Sequence, residues 1–296
     1  MPTPRRAARP TLGLAPIAWT AIALYAAFLI YPVLRSLLLS FTDRNPLRAD
    51  SSFVGLDNYR ELFVDERLRT TLLFTVTVVV AVTLLANAFG LAFALLLNRQ
   101  SMSYRVLRTL VFIPQVLSGV IVAFVWRSIL TENGLLNAAL QRMGLTNEPV
   151  SWLGSAQMAT LSICGVVSWI TIAFATVVYS ASLRSVPPSL YEAARVDGAG
   201  AFRRFTHVTW PMIAPGTTIT VVLCLITTFK LYDVIAVLTG GGPAKSTEST
   251  AFYLIQVAFT NNLFGYASAI AMLLLALTAG IAYLVTHLLR KREGRL

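Results

Sequence analysis

Residues 71 to 97 run for 27 positions without a charged side chain, and no other feature of this sequence limits its fold so strongly. As an α-helix such a run is about 40 Å long, whereas the hydrocarbon core of a bilayer is about 30 Å thick. It can cross that core with tilt to spare, and a helix buried in a soluble core rarely needs the length. Comparable apolar runs lie at about 12–34, 106–130, 158–182, 213–238 and 264–289. The pattern predicts an all-α polytopic membrane protein with six transmembrane helices. Of the 296 residues, 56% are hydrophobic and only 12% charged, which leaves too few ionic groups to clothe a soluble domain.

An even number of spans puts both termini on one side, and the charges indicate which. The two termini and the loops at 98–108 and 183–211 together hold fourteen Lys and Arg against three acids, Glu192, Asp197 and Glu293. The remaining loops and span ends hold nine basic and nine acidic residues, and Lys230 and Asp233 offset each other within the fifth run. Basic residues translocate poorly, so the first set is expected on the cytoplasmic side of the membrane. The formal charge of +11 therefore reports topology and not nucleic-acid binding. The expected organisation is a cytoplasmic tail at 1–11, a transmembrane domain at 12–289 with a cytoplasmic loop at 187–211, and a basic tail at 290–296.

Arg5, Arg6 and Arg9 before an apolar stretch also describe a signal peptide, but residues 11–34 are uncharged for 24 positions. That exceeds the roughly 7–15 residues of a signal core, so the first span is read as retained. Cys164 and Cys224 both sit inside apolar runs and suggest buried hydrophobes, not a disulfide. The polar loop at 40–70 is expected to carry a short helix capped by Asp57. H-E-x-x-H and G-x-S-x-G are absent, and His207 and His287 stand apart from any ligand pattern. Gly240–Ser246, GGGPAKS, approaches a phosphate-binding loop but has Ala244 where the second glycine belongs. No strand precedes it, and it reads as a Gly/Pro turn on the outer side. If ATP drives this system, another chain binds it.

The loop SVPPSLYEAARVDGAGAFRRFTHVTWPMIAP, from Ser185, is the most informative stretch. Pro187 and Pro188 end the fourth span, and Ser189 stands three residues before Glu192 at capping-box spacing. Gly198 and Gly200 offer the left-handed or open backbone that stops the new helix, and Ala201–Trp210 reads as a second segment ending at Pro211. The apolar members Leu190, Tyr191, Ala193, Ala194 and Val196 exceed what a solvated connector needs, which marks a partner surface.

On these residues the sequence resembles the binding-protein-dependent ABC importers, whose permeases carry an EAA loop, E-A-A-x3-G-x9-I-x-L-P. Glu192, Ala193, Ala194, Gly198 and Pro211 match, Asp197 precedes the glycine, and Val208 and Trp210 keep the bulk of the isoleucine and leucine. FVGLDNYRELF at 53–63 and YDVIAVLTGGGPAKST at 232–247 are similar to the sugar-importer subgroup that includes maltose and glycerol-phosphate permeases. The resemblance implies that Glu192, Ala193, Ala194, Asp197 and Gly198 form a coupling helix seated on an ATPase. It also implies a second homologous permease, two ATPase subunits that bind ATP and Mg²⁺, an external substrate-binding protein, and no cofactor in this chain. Arg195, Arg203 and Arg204 are read as topology determinants that meet lipid headgroups.

A charge at mid-bilayer costs on the order of 2.5–3.5 kcal/mol, so Lys230 and Asp233 need an explanation. Three residues apart on one helix face, they can pair, and that face can also line a polar path with Thr227, Thr228 and Tyr232. Gln115 is a further pathway candidate for a small polar substrate. Trp126 is expected as an interfacial anchor, and Ser168 and Thr171 as packing residues. An ion-coupled secondary transporter, in which Lys230 and Asp233 carry coupling ions, is the rival reading.

Overall fold

A computed structural model describes residues 15–97 and 101–293. The tail at 1–11 with Arg5, Arg6 and Arg9, the start of the first run, Arg99 and Arg295 lie outside the described residues. The chain is helical throughout, and among the described residues a lone antiparallel bridge joins Thr42 to Phe53. In order the helices are α1 (Ile17–Leu39), α2 (Asp57–Val64), α3 (Glu66–Leu96), α4 (Met102–Val116), α5 (Gly119–Ile129), α6 (Leu135–Arg142) and α7 (Ala156–Arg184). There follow α8 (Pro188–Val196), α9 (Ala201–Met212), α10 (Ala214–Phe229), α11 (Asp233–Leu238), α12 (Thr250–Thr260) and α13 (Phe264–Glu293).

Among the described helices, α1, α3, α7 and α13 are each long and apolar enough to cross a bilayer. The fold has up to six spans if each of two bent pairs counts as one, α4 with α5 and α9 with α10. Spans three and five are therefore not the continuous helices their apolar runs predict. The third bends by 104° after Val116, where Leu117 and Ser118 are extended, three residues beyond Pro114. Proline removes one ladder hydrogen bond and crowds the preceding turn, so the break falls near it. The fifth bends by 64° at Ile213, and α10 then stops at Phe229. Pro32 and Pro211 do not break their helices: each follows a wide π-helical turn, at Ala26–Ile30 and Phe205–Thr209, that absorbs the missing donor.

The centre of the bundle is the pair α3 and α7, which run side by side in the same direction. Val78 and Val82 pack with Ile163 and Val166 toward one end, and Ala86 and Ala94 with Ala175 and Leu183 toward the other. Tyr179, 1% exposed, donates its hydroxyl proton to Asn87 Oδ1 at 2.7 Å. Such an interhelical bond contributes about 0.6–2 kcal/mol in lipid. Helix α10 packs against both and against α13. By contrast α1 is unburied along its apolar window and packs on α13 through its last turns.

At the end of the bundle where α3 begins, polar groups replace apolar packing. Asp65 caps α3 by accepting from the Leu68 amide at 3.0 Å, and its other oxygen accepts from Tyr253 Oη at 2.7 Å and Tyr266 Oη at 2.6 Å. Burial alone would raise this carboxyl's pKa, but the bonds from Tyr266, Tyr253 and the Leu68 and Arg67 amides outweigh it and hold the pKa below the ordinary 3.8. Arg67 grips Glu248 with both nitrogens, Nε to Oε2 at 2.8 Å and Nη2 to Oε1 at 2.6 Å, and stacks its guanidinium over Tyr253. The short helix α2 forms as expected, but Leu56 occupies its cap position and Asp57 turns to Arg60 at 2.9 Å. Trp126 is half-buried and packs edge-on against Trp169, centroids 5.7 Å apart, at the margin of the main core.

Candidate functional site

Two features stand apart from ordinary packing, an exposed peg at the end of α7 and a largely apolar cavity with a few polar groups beside the third-span break and the end of α10. The peg is α8. Pro187 holds its N-cap position without any side-chain cap, so the Ser189–Glu192 capping box does not form. Pro188 opens the helix instead, with no amide to satisfy and a φ already suited to the first turn. The other end follows the sequence closely. Gly198 adopts φ +73, its amide reaches the Arg195 carbonyl at 3.0 Å, and the Ala199 amide reaches Ala194 at 2.9 Å. This Schellman closure satisfies the last carbonyls and turns the chain through a left-handed residue. Gly200, at φ −67, is extended and starts α9.

None of the α8 residues is buried. Glu192, Ala193, Arg195, Asp197 and Gly198 are exposed, Ala194 is half-buried, and Val196 and Phe202 are bared at 88% and 80%. The peg is held from behind by Tyr191, whose hydroxyl lies 3.1 Å from Thr209 Oγ1. Tyr191, Val208 and Trp210 pack together on the core of Ala86, Tyr179, Leu183 and Ile213. Val208 and Trp210 thus face inward and set how α8 sits on the bundle.

The cavity has a volume of about 410 Å³ and is lined by Gln115 and Gly119 beside the third-span break, Val167, Ile170, Thr171 and Phe174 of α7, Leu223, Thr227 and Thr228 of α10, and Asp233. Two chain breaks meet here. Tertiary contacts hold the second: Ser249 donates its hydroxyl to the Leu231 carbonyl while accepting from the Phe252 amide at 3.1 Å. Asp233 starts α11, and its Oδ1 accepts from the Val234 amide at 2.9 Å. Its Oδ2 approaches Gly119 so closely that a Cβ there would fall 2.0 Å away. A side chain at 119 would push the carboxylate out, so glycine is required at that place for its bareness.

Lys230 and Asp233 are not the helical pair their spacing predicts. Helix α10 ends at Phe229 and α11 starts only at Asp233, and Lys230 lines a separate apolar groove of about 330 Å³ with Ile226, Leu254, Leu274 and Thr278. Tyr232 likewise does not line the cavity; it stacks on Phe252 with centroids 5.8 Å apart. Of the five pathway candidates, Gln115, Thr228 and Asp233 come together. Thr171, read from sequence as packing, joins them, and its hydroxyl donates to the Val167 carbonyl at 2.6 Å. Nothing local marks Thr171, whereas Ser118–Gly119 just after Pro114 is a breaker signal inside an apolar run.

The model of the family described as "Binding-protein-dependent transport system inner membrane component" matches residues 86–294. The probable ABC transporter permease protein YurN of Bacillus subtilis (strain 168) is 34% identical over 269 residues, 87% of this chain and 89% of that protein. The probable starch degradation products transport system permease protein AmyD of Thermoanaerobacterium thermosulfurigenes is 30% identical, covering 94% and 93%. In fold the chain superimposes with a TM-score of 0.83 on a chain of a bacterial ABC transporter involved in alginate import, at 22% identity over 94% and 95% of the two chains. Matched across most of its length, the chain belongs to the binding-protein-dependent transport system inner membrane components: it is a multi-pass inner-membrane permease subunit of an ABC importer served by an external binding protein, and neither an ion-coupled transporter nor an enzyme.

Proposed function

We propose that this chain is one of two homologous permeases in an importer for a carbohydrate or similar polar carbon source, driven by two cytoplasmic ATPase subunits that bind ATP and Mg²⁺. Both termini and the α8–α9 loop face the cytoplasm, and the end carrying Asp65, Arg67 and the Gly240–Ser246 turn faces the binding protein. The charge asymmetry supports this orientation, since basic residues are retained inside. The membrane domain is 12–289, with cytoplasmic tails at 1–11 and 290–296. A second permease is supported by α1, whose apolar window finds no cover among the described residues. The relatives transport starch degradation products and, in the solved structure, the acidic polysaccharide alginate, which supports a carbohydrate cargo here.

The observation that carries the proposal is the peg itself, a fully unburied helix ended by Gly198 and braced on the core through Tyr191. An ATPase cleft receives Glu192, Ala193 and Ala194, and Asp197 and Gly198 set the exit of the chain. When ATP closes the ATPases, α8 moves, the brace at Tyr191, Val208 and Trp210 passes the motion to α3 and α7, and the cavity opens outward to take cargo. Gln115, Thr228 and Asp233 line its path. The test is to replace Glu192 and Gly198 together in the reconstituted importer. Docking of the loaded binding protein is expected to survive while transport-linked ATP hydrolysis falls. Unchanged coupling in a correctly inserted double variant overturns the role given to α8.

A further inference from the structure

We infer that the wall containing Asp233 is a charge filter: the cargo passes as an uncharged polyhydroxy compound, and anionic sugars are turned away at the cavity itself. This rests on the cavity's being the transport path. Among the described residues lining it, Asp233 is the one that carries a charge, because Lys230 opens into the other groove. Asp233 Oδ1 accepts from the Val234 amide, and Oδ2 lies against Gly119 at the start of the eleven-residue α5, where the helix dipole favours negative charge.

The hydroxyls beside it point to the same chemistry. Thr171 and Thr227 spend their protons on their own helix, Thr171 on Val167 and Thr227 on the Leu223 carbonyl at 2.7 Å. What these hydroxyls offer to the cavity is lone pairs, and an ionised carboxylate offers nothing else. With Gln115, whose amide both donates and accepts, such a wall is matched by a cargo that brings O–H donors and neutral acceptors together, as an uncharged sugar or polyol does. A carboxylate, sulfonate or phosphate on the cargo would bring like charge to like charge. The apolar flank of Val167, Ile170, Phe174 and Leu223 suits the carbon faces of a sugar ring and adds no cation to offset the acid.

The filter can be read without knowing the cargo. Thr227→Cys places a thiol in the cavity, and the parent chain supplies the blank because Cys164 and Cys224 are buried. In the assembled importer, the thiol is modified with a trimethylammonium-bearing and a sulfonate-bearing methanethiosulfonate of similar size. Each rate is divided by that reagent's rate with free 2-mercaptoethanol. The expected preference for the cation is about tenfold, the size produced by one unit charge a few ångström away in a partly wet site. Asp233→Asn should erase it, and Lys230→Gln, altering a charge on the other groove, should leave it standing. A preference that survives Asp233→Asn, or that Lys230→Gln abolishes equally, overturns the filter while leaving the path intact. A thiol that neither reagent reaches, in importers resting or turning over ATP, overturns the path and the filter together.

Discussion

Gly198 offers the sharpest test of the peg, because its replacement changes backbone energy and nothing else. It sits at φ +73, and a Cβ built there meets no atom within 4 Å, so no steric contact confuses the result. An L-residue with a Cβ in the left-handed region costs about 1–2 kcal/mol. That is about a 5–30-fold shift in the population of the closed Schellman turn. Asparagine tolerates the left-handed region better than other non-glycine residues. Gly198→Ala should therefore reduce binding-protein-stimulated ATP hydrolysis several-fold in proteoliposomes, and Gly198→Asn should recover most of it. Basal hydrolysis and the thermal stability of the bundle should stay near wild type in both, since the residue is exposed and lies outside the core. Equal activity in the alanine, asparagine and wild-type proteins would refute the claim that the exit angle of α8 matters. Equal loss in both variants would show that the left-handed backbone is not what glycine supplies.

Arg67→Ala leaves Glu248, 2% exposed, as an unpaired buried carboxylate, and should lower stability by about 3–5 kcal/mol in thermal unfolding of the purified complex. Replacing both partners, Arg67→Met with Glu248→Gln, should recover a large part of that loss, and a double variant as unstable as the single would contradict the burial argument. Asp65 predicts an acid limit. Its folded pKa is depressed below 3.8, so its stabilisation is complete above the unfolded value and disappears as pH falls through the lower folded value. Unfolding temperature followed downward from pH 6 should therefore drop less steeply at the acid end in Asp65→Asn than in the wild type.

The legible part of this molecule was the part encoded locally. Long uncharged runs announced the spans because a lipid-embedded helix satisfies its backbone within its own segment, whatever its neighbours do. The exit of α8 was legible for the same reason: one glycine and the two carbonyls three and four residues before it complete the turn. Its entrance was misread because Ser189 has capping chemistry but Pro188 had already begun the helix. The cavity was half legible. Lys230 and Asp233 were correctly singled out as charges in an apolar run, yet helical spacing put them on one face when the helix ends at Phe229 and a new one starts at Asp233.

Sequence alone thus determined that this chain lives in a membrane, which loops carry its positive charge, and that a short peg follows the fourth apolar run. Tertiary structure decided where the third and fifth spans break, which of Gln115, Thr228, Lys230, Tyr232 and Asp233 share a cavity, and that Val208 and Trp210 look inward. Lys230, Leu231 and Tyr232 contain no glycine or proline; the break among them is held by the hydroxyl of Ser249, eighteen residues along the chain from the carbonyl it satisfies. Hydrophobic length and charge act through the solvent on each segment separately. A hydrogen bond between distant segments exists only once the fold has brought them together.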